Sequence, residues 1–135
     1  MTIKNSILIV DDDPDDREIV RDAFSSANGD RWEYVFIENG DRLLEHLEQG
    51  NDSLPALILL DLNMPGKDGR EVLKEIKNSG EYRSIPTVVF TTSSSQRDRE
   101  TSYNLGANCF VTKPDTFNKL VDLARAIAKL WLPES

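Results

Sequence analysis

Several short apolar runs in this chain do not alternate with polar residues, and each ends abruptly in a polar or charged one. Leu57-Ile58-Leu59-Leu60 runs into Asp61, and Ile7-Leu8-Ile9-Val10 runs into Asp11-Asp12-Asp13. A run of this kind predicts a strand buried on both faces, as in a parallel sheet flanked by helices. Such a strand delivers the residue that follows it to the carboxyl edge of the sheet, where open α/β sheets place ligands and chemistry. Met64-Pro65-Gly66 and Asp68-Gly69 then turn the chain just beyond Asp61. Asp61 is therefore the candidate reactive group.

The rest of the chain supplies the partners of these two strands. Pro14 suits the first position of a helix reaching about Ala27, Asp13 suits its cap, and Asp15 and Asp16 lie where the helix dipole favours negative charge. Ile19, Val20, Ala23, Phe24 and Ala27 follow helical spacing, and Asn28-Gly29 ends the helix. Trp32 to Ile37 predicts an edge strand. Leu43, Leu44 and Leu47 predict a short helix to about Gln49, followed by a loop to Ser53. Val72, Leu73 and Ile76 mark a third helix that stops near Ser79-Gly80, and Pro86 to Thr91 is a fourth strand ending in hydroxyls. Ser95-Gln96-Arg97-Asp98 has the form of a capping box and opens a fourth helix. That helix carries only Tyr103 and Leu105 as apolar anchors, with Arg99 and Ser102 at core-facing positions, and is expected to be the least stable. Asn108 to Thr112 is a fifth strand ending at Lys113-Pro114, and Phe117, Leu120, Val121, Ala124, Ile127, Ala128 and Trp131 line one face of a closing helix.

Five strands alternating with five helices predict an α/β fold, a parallel sheet covered on both faces and wound by right-handed crossovers. All strand ends then open on one edge, so Asp11, Asp12, Asp61, Thr91 and Lys113 converge. At 135 residues the chain is expected to be one domain, 1–135, with a core large enough to need no staple. The 24 acids against 16 bases, a net charge of −8, argue against binding to a nucleic-acid backbone. No apolar run approaches membrane-spanning length and no opening segment resembles a signal peptide, which fits a cytoplasmic protein. The lone Cys109 reads as a small buried hydrophobe, in keeping with a reducing compartment, and His46 reads as a solvated residue of the second helix.

Carboxylates crowded at one edge repel one another, each pair by about 4 kcal/mol at 4 Å in an effective dielectric near 20. Oxygen-only ligands invite a hard divalent cation, Mg²⁺ or Mn²⁺, and no histidine or thiolate is placed to select zinc. Beside such a cation Asp61 can act as a nucleophile toward phosphorus, Lys113 can pair with phosphoryl charge, and Thr91 can hydrogen-bond a phosphoryl oxygen.

Taken together, Ile-Val-Asp11-Asp12-Asp13-Pro14, Leu-Leu-Asp61-Leu-Asn63-Met-Pro65-Gly-Lys-Asp-Gly69, Val-Phe-Thr91-Thr-Ser and Val-Thr-Lys113-Pro114 resemble the receiver domain of two-component response regulators. The resemblance implies a flavodoxin-like, doubly wound sheet of order 2-1-3-4-5. It implies phosphorylation of Asp61 by a histidine kinase or phosphotransfer protein, with Mg²⁺ or Mn²⁺ held by Asp12, Asp61 and the Asn63 backbone carbonyl and by Asp11 through water. Lys113 would contact the phosphoryl group. Thr91 and Phe110 would form a switch pair, with Phe110 turning inward after phosphorylation, and the Lys113–Pro114 bond would be cis. The surface of the fourth and fifth helices and the strand between them would be read by a downstream partner or a second copy of the chain. The chain would catalyse only its own phosphorylation and dephosphorylation.

Only Leu132 to Ser135 follow the last helix, so a stand-alone receiver without output domain is expected, similar to regulators that accompany bacterial phytochrome kinases. Two positions depart from the family's pattern. Phe110 lacks the hydroxyl of the tyrosine common there, and Arg99 interrupts the apolar face of the fourth helix. Two other classes fit less well. An aspartate-nucleophile phosphatase needs a second aspartate where Asn63 stands, and a flavodoxin-like cofactor protein needs an uncharged phosphate loop where Asp11 to Asp16 lie.

Overall fold

A computed structural model describes residues 2–50 and 53–133. Asn51 and Asp52 of the expected loop, and Glu134 and Ser135 of the expected tail, lie outside the described residues. The elements run β1 (Ser6–Val10), α1 (Pro14–Asn28), β2 (Glu33–Ile37), α2 (Gly40–Glu48), β3 (Leu57–Leu60), α3 (Gly69–Asn78), β4 (Thr87–Thr91), α4 (Gln96–Asn104), β5 (Cys109–Thr112) and α5 (Phe117–Trp131). The five strands form one parallel sheet in the order 2-1-3-4-5. A two-residue parallel pair, Thr2–Ile3 with Ser53–Leu54, extends the far end. Among the described residues no helix is long and apolar enough to cross a membrane.

Why the runs do not alternate is visible in the packing. Leu8, Val10, Ile58, Leu60 and Val89 join a core with Leu43, Leu47, Val72, Leu73 and Ile76 of α2 and α3. Their chain neighbours Ile7, Ile9, Leu57, Leu59 and Val88 join a second core with Val20, Ala23, Phe24, Leu120, Ala124 and Ile127 of α1 and α5. The runs Ile7–Val10 and Leu57–Leu60 do not alternate because each face of these strands meets a different helical layer.

Caps set the helix starts that border the site. Asp13 accepts from the Asp15 and Asp16 amides, Asp68 from Arg70, and Thr116 from Lys119. Gly69 opens α3 directly under β3, where a β-carbon would run into the Asp61 carbonyl oxygen and the Leu62 α-carbon. Only a glycine lets α3 approach the strand end so closely.

The anchoring of α4 differs. Ser102 is its single buried side chain among the described residues, as the weak apolar pattern predicts. Its capping box is half formed: Ser95 Oγ accepts from the Asp98 amide at 3.3 Å, but the Asp98 carboxylate turns elsewhere. Arg99 does not leave a gap in the docking face. Its guanidinium lies over the Tyr103 and Phe110 rings, 5.7 and 5.9 Å from their centroids.

Several expectations fail in detail. Ile19 and Phe117, placed on core faces by their spacing, are 46% and 47% exposed. Phe117 sits in the first turn of α5, beyond the packed face, and the two side chains border a groove with Pro114 and Leu120. Cys109 and His46 are half-buried, not buried and solvated respectively; Cys109 lies on β5, an edge strand of the sheet. No described peptide bond is cis, so Lys113–Pro114 is trans, the form an X–Pro bond favours by about 0.5–1 kcal/mol.

Replacing Gly69 by Ala tests the close approach. Alanine is the better helix former, yet the variant should lose about 1–3 kcal/mol through overpacking against the Asp61 and Leu62 backbone. Urea unfolding should show a lower midpoint at an unchanged slope.

Candidate functional site

Three strand ends are knitted into the carboxyl edge by backbone hydrogen bonds: Asp11 N–H to Ile37 O at 3.0 Å, Asp61 N–H to Val10 O at 3.0 Å, and Lys113 N–H to Thr91 O at 2.7 Å. The side chains that follow β1, β3 and β5, and Thr91 at the end of β4, are thereby held over one small area. Asp11, Asp12 and Asp61 each offer a carboxylate oxygen within 4.8 Å of the others. Asp12 is exposed, whereas Asp11 is 4% and Asp61 9% exposed.

Burial raises the Asp61 carboxyl above the ordinary carboxylate range, and the nearby negative charge of Asp11 raises it further. The Lys113 charge, the Asn63 amide and the Thr91 hydroxyl pull it back without cancelling the rise. Asn63 N–H donates to Asp61 Oδ1 at 3.4 Å. Thr91 itself is fully buried.

Lys113 does not stand free above Asp61. Its Nζ donates to Asp11 Oδ2 at 2.6 Å and reaches Asp16 Oδ2 at 3.4 Å. Burial alone would lower the Lys113 ammonium, but its hydrogen bond to Asp11 and the charges of Asp11, Asp61 and Asp16 raise it overall. Asp11 is held from both sides: its Oδ1 accepts from the Asp13 amide at 3.0 Å, and its carbonyl accepts from Arg17 Nη1 at 2.8 Å.

The structure thus brings together the four sequence-derived side chains Asp11, Asp61, Thr91 and Lys113, with Asp12 at the rim. Asn63 contributes its amide to Asp61. Phe110 lies apart on the α2–α3 face of the sheet, and it is already buried at 5% exposure in the core with Val89 and Leu60. Phe110 thus already has the inward position expected of it after phosphorylation. Its amide donates to Tyr103 Oη at 3.0 Å, and Arg99 covers its ring.

Sequence reasoning missed Asp16 and Arg17. Asp16 reads there only as a helix-start acid and Arg17 is not singled out, although the first turn of a helix that follows β1 necessarily overhangs the same edge. It also missed Arg70. That side chain donates from Nη1 to both Asp68 oxygens at 3.2 Å and from Nη2 to Asp98 Oδ1 at 2.6 Å, joining the first turns of α3 and α4.

A set of three carboxylates with no imidazole or thiolate suits a hard cation with oxygen preference, and the donor chemistry fits Mg²⁺ or Mn²⁺. Burial chiefly, and the charge of Asp11 after it, hold Asp61 above its usual range, and a bound cation would favour its charged form.

Known proteins share this arrangement. The family model of the response regulator receiver domain matches residues 7–125. The response regulator Rcp1 of Synechocystis sp. is 38% identical over 130 residues, covering 93% of this chain and 88% of Rcp1. The phosphorylated cyanobacterial phytochrome response regulator RcpA superposes with a TM-score of 0.85 at 36% identity, over 96% of this chain and 98% of RcpA. The Mn²⁺-bound form of Rcp1 superposes with a TM-score of 0.82 at 37% identity, over 96% of each chain. With its sheet order, its acidic edge and the matched residues in agreement, the chain belongs to the response regulator receiver domain family.

Proposed function

We propose that Asp61 is the phosphoacceptor and that a phytochrome-type histidine kinase supplies the phosphoryl group. The observation that carries this reading is the position of Asp61: a largely buried carboxylate within 4.8 Å of two others, with Lys113 and Thr91 facing it. The kinase class rests on the likeness to RcpA, a phytochrome response regulator.

In the reaction, an Asp61 carboxylate oxygen attacks phosphorus as the bond from phosphorus to the donor imidazole breaks, and the imidazole leaves with the electron pair. Asp12, Asp61 and the Asn63 carbonyl would hold Mg²⁺, with Asp11 assisting through water. The cation supplies charge neutralisation that lets an anionic nucleophile meet an anionic phosphoryl group. Lys113, now shared with Asp11 and Asp16, is close enough to offer its ammonium to the incoming phosphoryl oxygens. Thr91 donates its hydroxyl to the same group. Asp11 and Asp16 keep the Lys113 ammonium protonated and aimed while no phosphoryl group is present. The protein carries out its own phosphorylation and dephosphorylation and transforms no other substrate. The state of Asp61 is read on the surface of α4, β5 and α5 by a protein partner or a second copy.

Asp61→Asn should abolish labelling by a small phosphodonor in the presence of Mg²⁺; labelling that persists in this variant would reject the assignment. The same substitution should stabilise the metal-free protein near neutral pH. Asp61 has a folded pKa above its unfolded one, so its contribution to stability is fully present below the ordinary carboxylate range and is lost as pH rises through the folded value. The advantage of the asparagine in thermal melts should therefore vanish at acid pH and grow toward neutrality.

Mg²⁺ should raise native stability by about 2.7 kcal/mol at a hundredfold excess over its dissociation constant. Asp12→Ala should remove most of that gain. An undiminished Mg²⁺-dependent melting shift in this variant would exclude Asp12 as a ligand.

A further inference from the structure

Four hydrogen-bonded groups, Thr91, Ser93, Asp98 and Arg70, lead from the Asp61 carboxylate to the side of α3. The Thr91 hydroxyl faces Asp61, and Thr91 Oγ1 accepts from the Ser93 amide at 3.4 Å. Ser93 Oγ donates to Asp98 Oδ2 at 2.7 Å, and Asp98 Oδ1 accepts from Arg70 Nη2 at 2.6 Å. Ser93 is a hub in its own right: its carbonyl accepts from Thr112 Oγ1 at 2.9 Å, and its Oγ accepts from the Ser95 amide at 3.2 Å. The loop between β4 and α4 is thus pinned to the end of β5 and to the first turns of α3 and α4.

These polar contacts, with the packing of Arg99 on Phe110, dock the N-terminal half of α4, since Ser102 is the helix's only buried side chain among those described. Asp98 gives up its share of the capping box to make them. Both partners respond to the pairing: Arg70 chiefly through its hydrogen bond to Asp98, which raises its pKa, and Asp98 chiefly through the same bond, which lowers its own. With side-chain exposures of 29% and 22%, the pair is partly shielded from water.

We propose that Arg70 is a positioning residue, a brake that holds α4 in its resting place through Asp98 and Ser93 and so couples the state of Asp61 to the position of that helix. The inference rests on Asp61 as the phosphoacceptor. A phosphoryl group places its acceptor oxygens beyond the carboxylate that Thr91 now meets, so following them displaces Thr91 and Ser93. The Ser93 hydroxyl cannot move with that segment while it remains bonded to an Asp98 that Arg70 anchors to α3. Either the phosphoryl contact or the Arg70–Asp98–Ser93 contact is satisfied, and this competition is the differential interaction that a two-state shift requires. Arg70 is anchored by both Asp68 oxygens, so it belongs to α3 and does not travel with α4.

The test is amide hydrogen exchange of α4, residues 96–104, followed by mass spectrometry, in the intact protein with Mg²⁺, with and without acetyl phosphate. The mass of each sample reports its phosphorylation. In the parent protein, phosphorylation should speed exchange in α4. Arg70→Met should speed it without any phosphodonor, on the order of tenfold for loss of one charge-assisted hydrogen bond, and phosphorylation should then add little. Asp98→Asn should do the same, and the double variant should exchange no faster than either single one. Arg70 touches neither Asp61 nor Lys113, so labelling of Asp61 should be unchanged in Arg70→Met. Unaltered α4 exchange in the resting Arg70→Met protein, additive effects of the two substitutions, or a phosphorylation-dependent change as large as in the parent would each overturn the brake. Failure of the parent to take up phosphate would instead refute the phosphoacceptor reading, and the resting-state comparison would still decide the brake.

Discussion

Two carboxylates held side by side in a largely dry sheet edge are the constraint on which this structure turns. Repulsion of about 4 kcal/mol for a pair at 4 Å would push Asp11 and Asp61 apart if either had a free backbone. Neither has one, because each amide is bonded to the neighbouring strand, and each strand is sealed between two apolar cores. Burial is the main reason the Asp61 carboxyl stays raised, with the Asp11 charge adding to it; Lys113, bonded to Asp11 and Asp16, offsets only part of this. The fold holds its acids where a cation and a phosphoryl group are needed before either arrives. That arrangement is preorganisation sustained by the core.

The parts of this design that follow from local pattern could be read in the sequence. A run such as Leu57–Leu60 carries its two-sided burial in four consecutive letters, and the residue after a parallel strand has one place to go. Asp11, Asp61, Thr91 and Lys113 could therefore be assembled from positions as much as 102 apart. What could not be read depends on side-chain direction. Asp98 has the right spacing for a capping box, yet its carboxylate spends both oxygens on Ser93 and on Arg70, 28 positions away. Arg99 looks like a break in an apolar face, but its planar head packs on Phe110 and Tyr103 as an apolar residue would. Ile19 and Phe117 obey helical spacing and are nonetheless exposed, because spacing gives the face of a helix and not the extent of the surface that covers it.

The helices are consequently held in two physically different ways. Val20, Ala23 and Phe24 of α1, Val72, Leu73 and Ile76 of α3, and Leu120, Ala124 and Ile127 of α5 fasten their helices by apolar burial. Burial is non-directional and changes little when a charge is added ten ångströms or so away. Its strength does not depend on what Asp61 carries. Hydrogen bonds and ion pairs are directional and lose most of their value over fractions of an ångström. A helix held by them answers to small displacements of the groups that hold it.

That difference assigns α4 the moving part without any appeal to flexibility as such. Phe110 is turned into the core in this structure, and it offers the site no side-chain hydroxyl to rearrange. The remaining contacts between the site and the α4 side of the molecule run through Thr91, Ser93 and Asp98, and each is a polar contact with a fixed geometry. A new acceptor at Asp61 competes for the first member of that series. The last member is fixed to α3 by Arg70, so the series cannot follow the displacement intact. A polar docking of α4 is weaker than an apolar one would be, and that weakness makes the helix able to report on a single charged group.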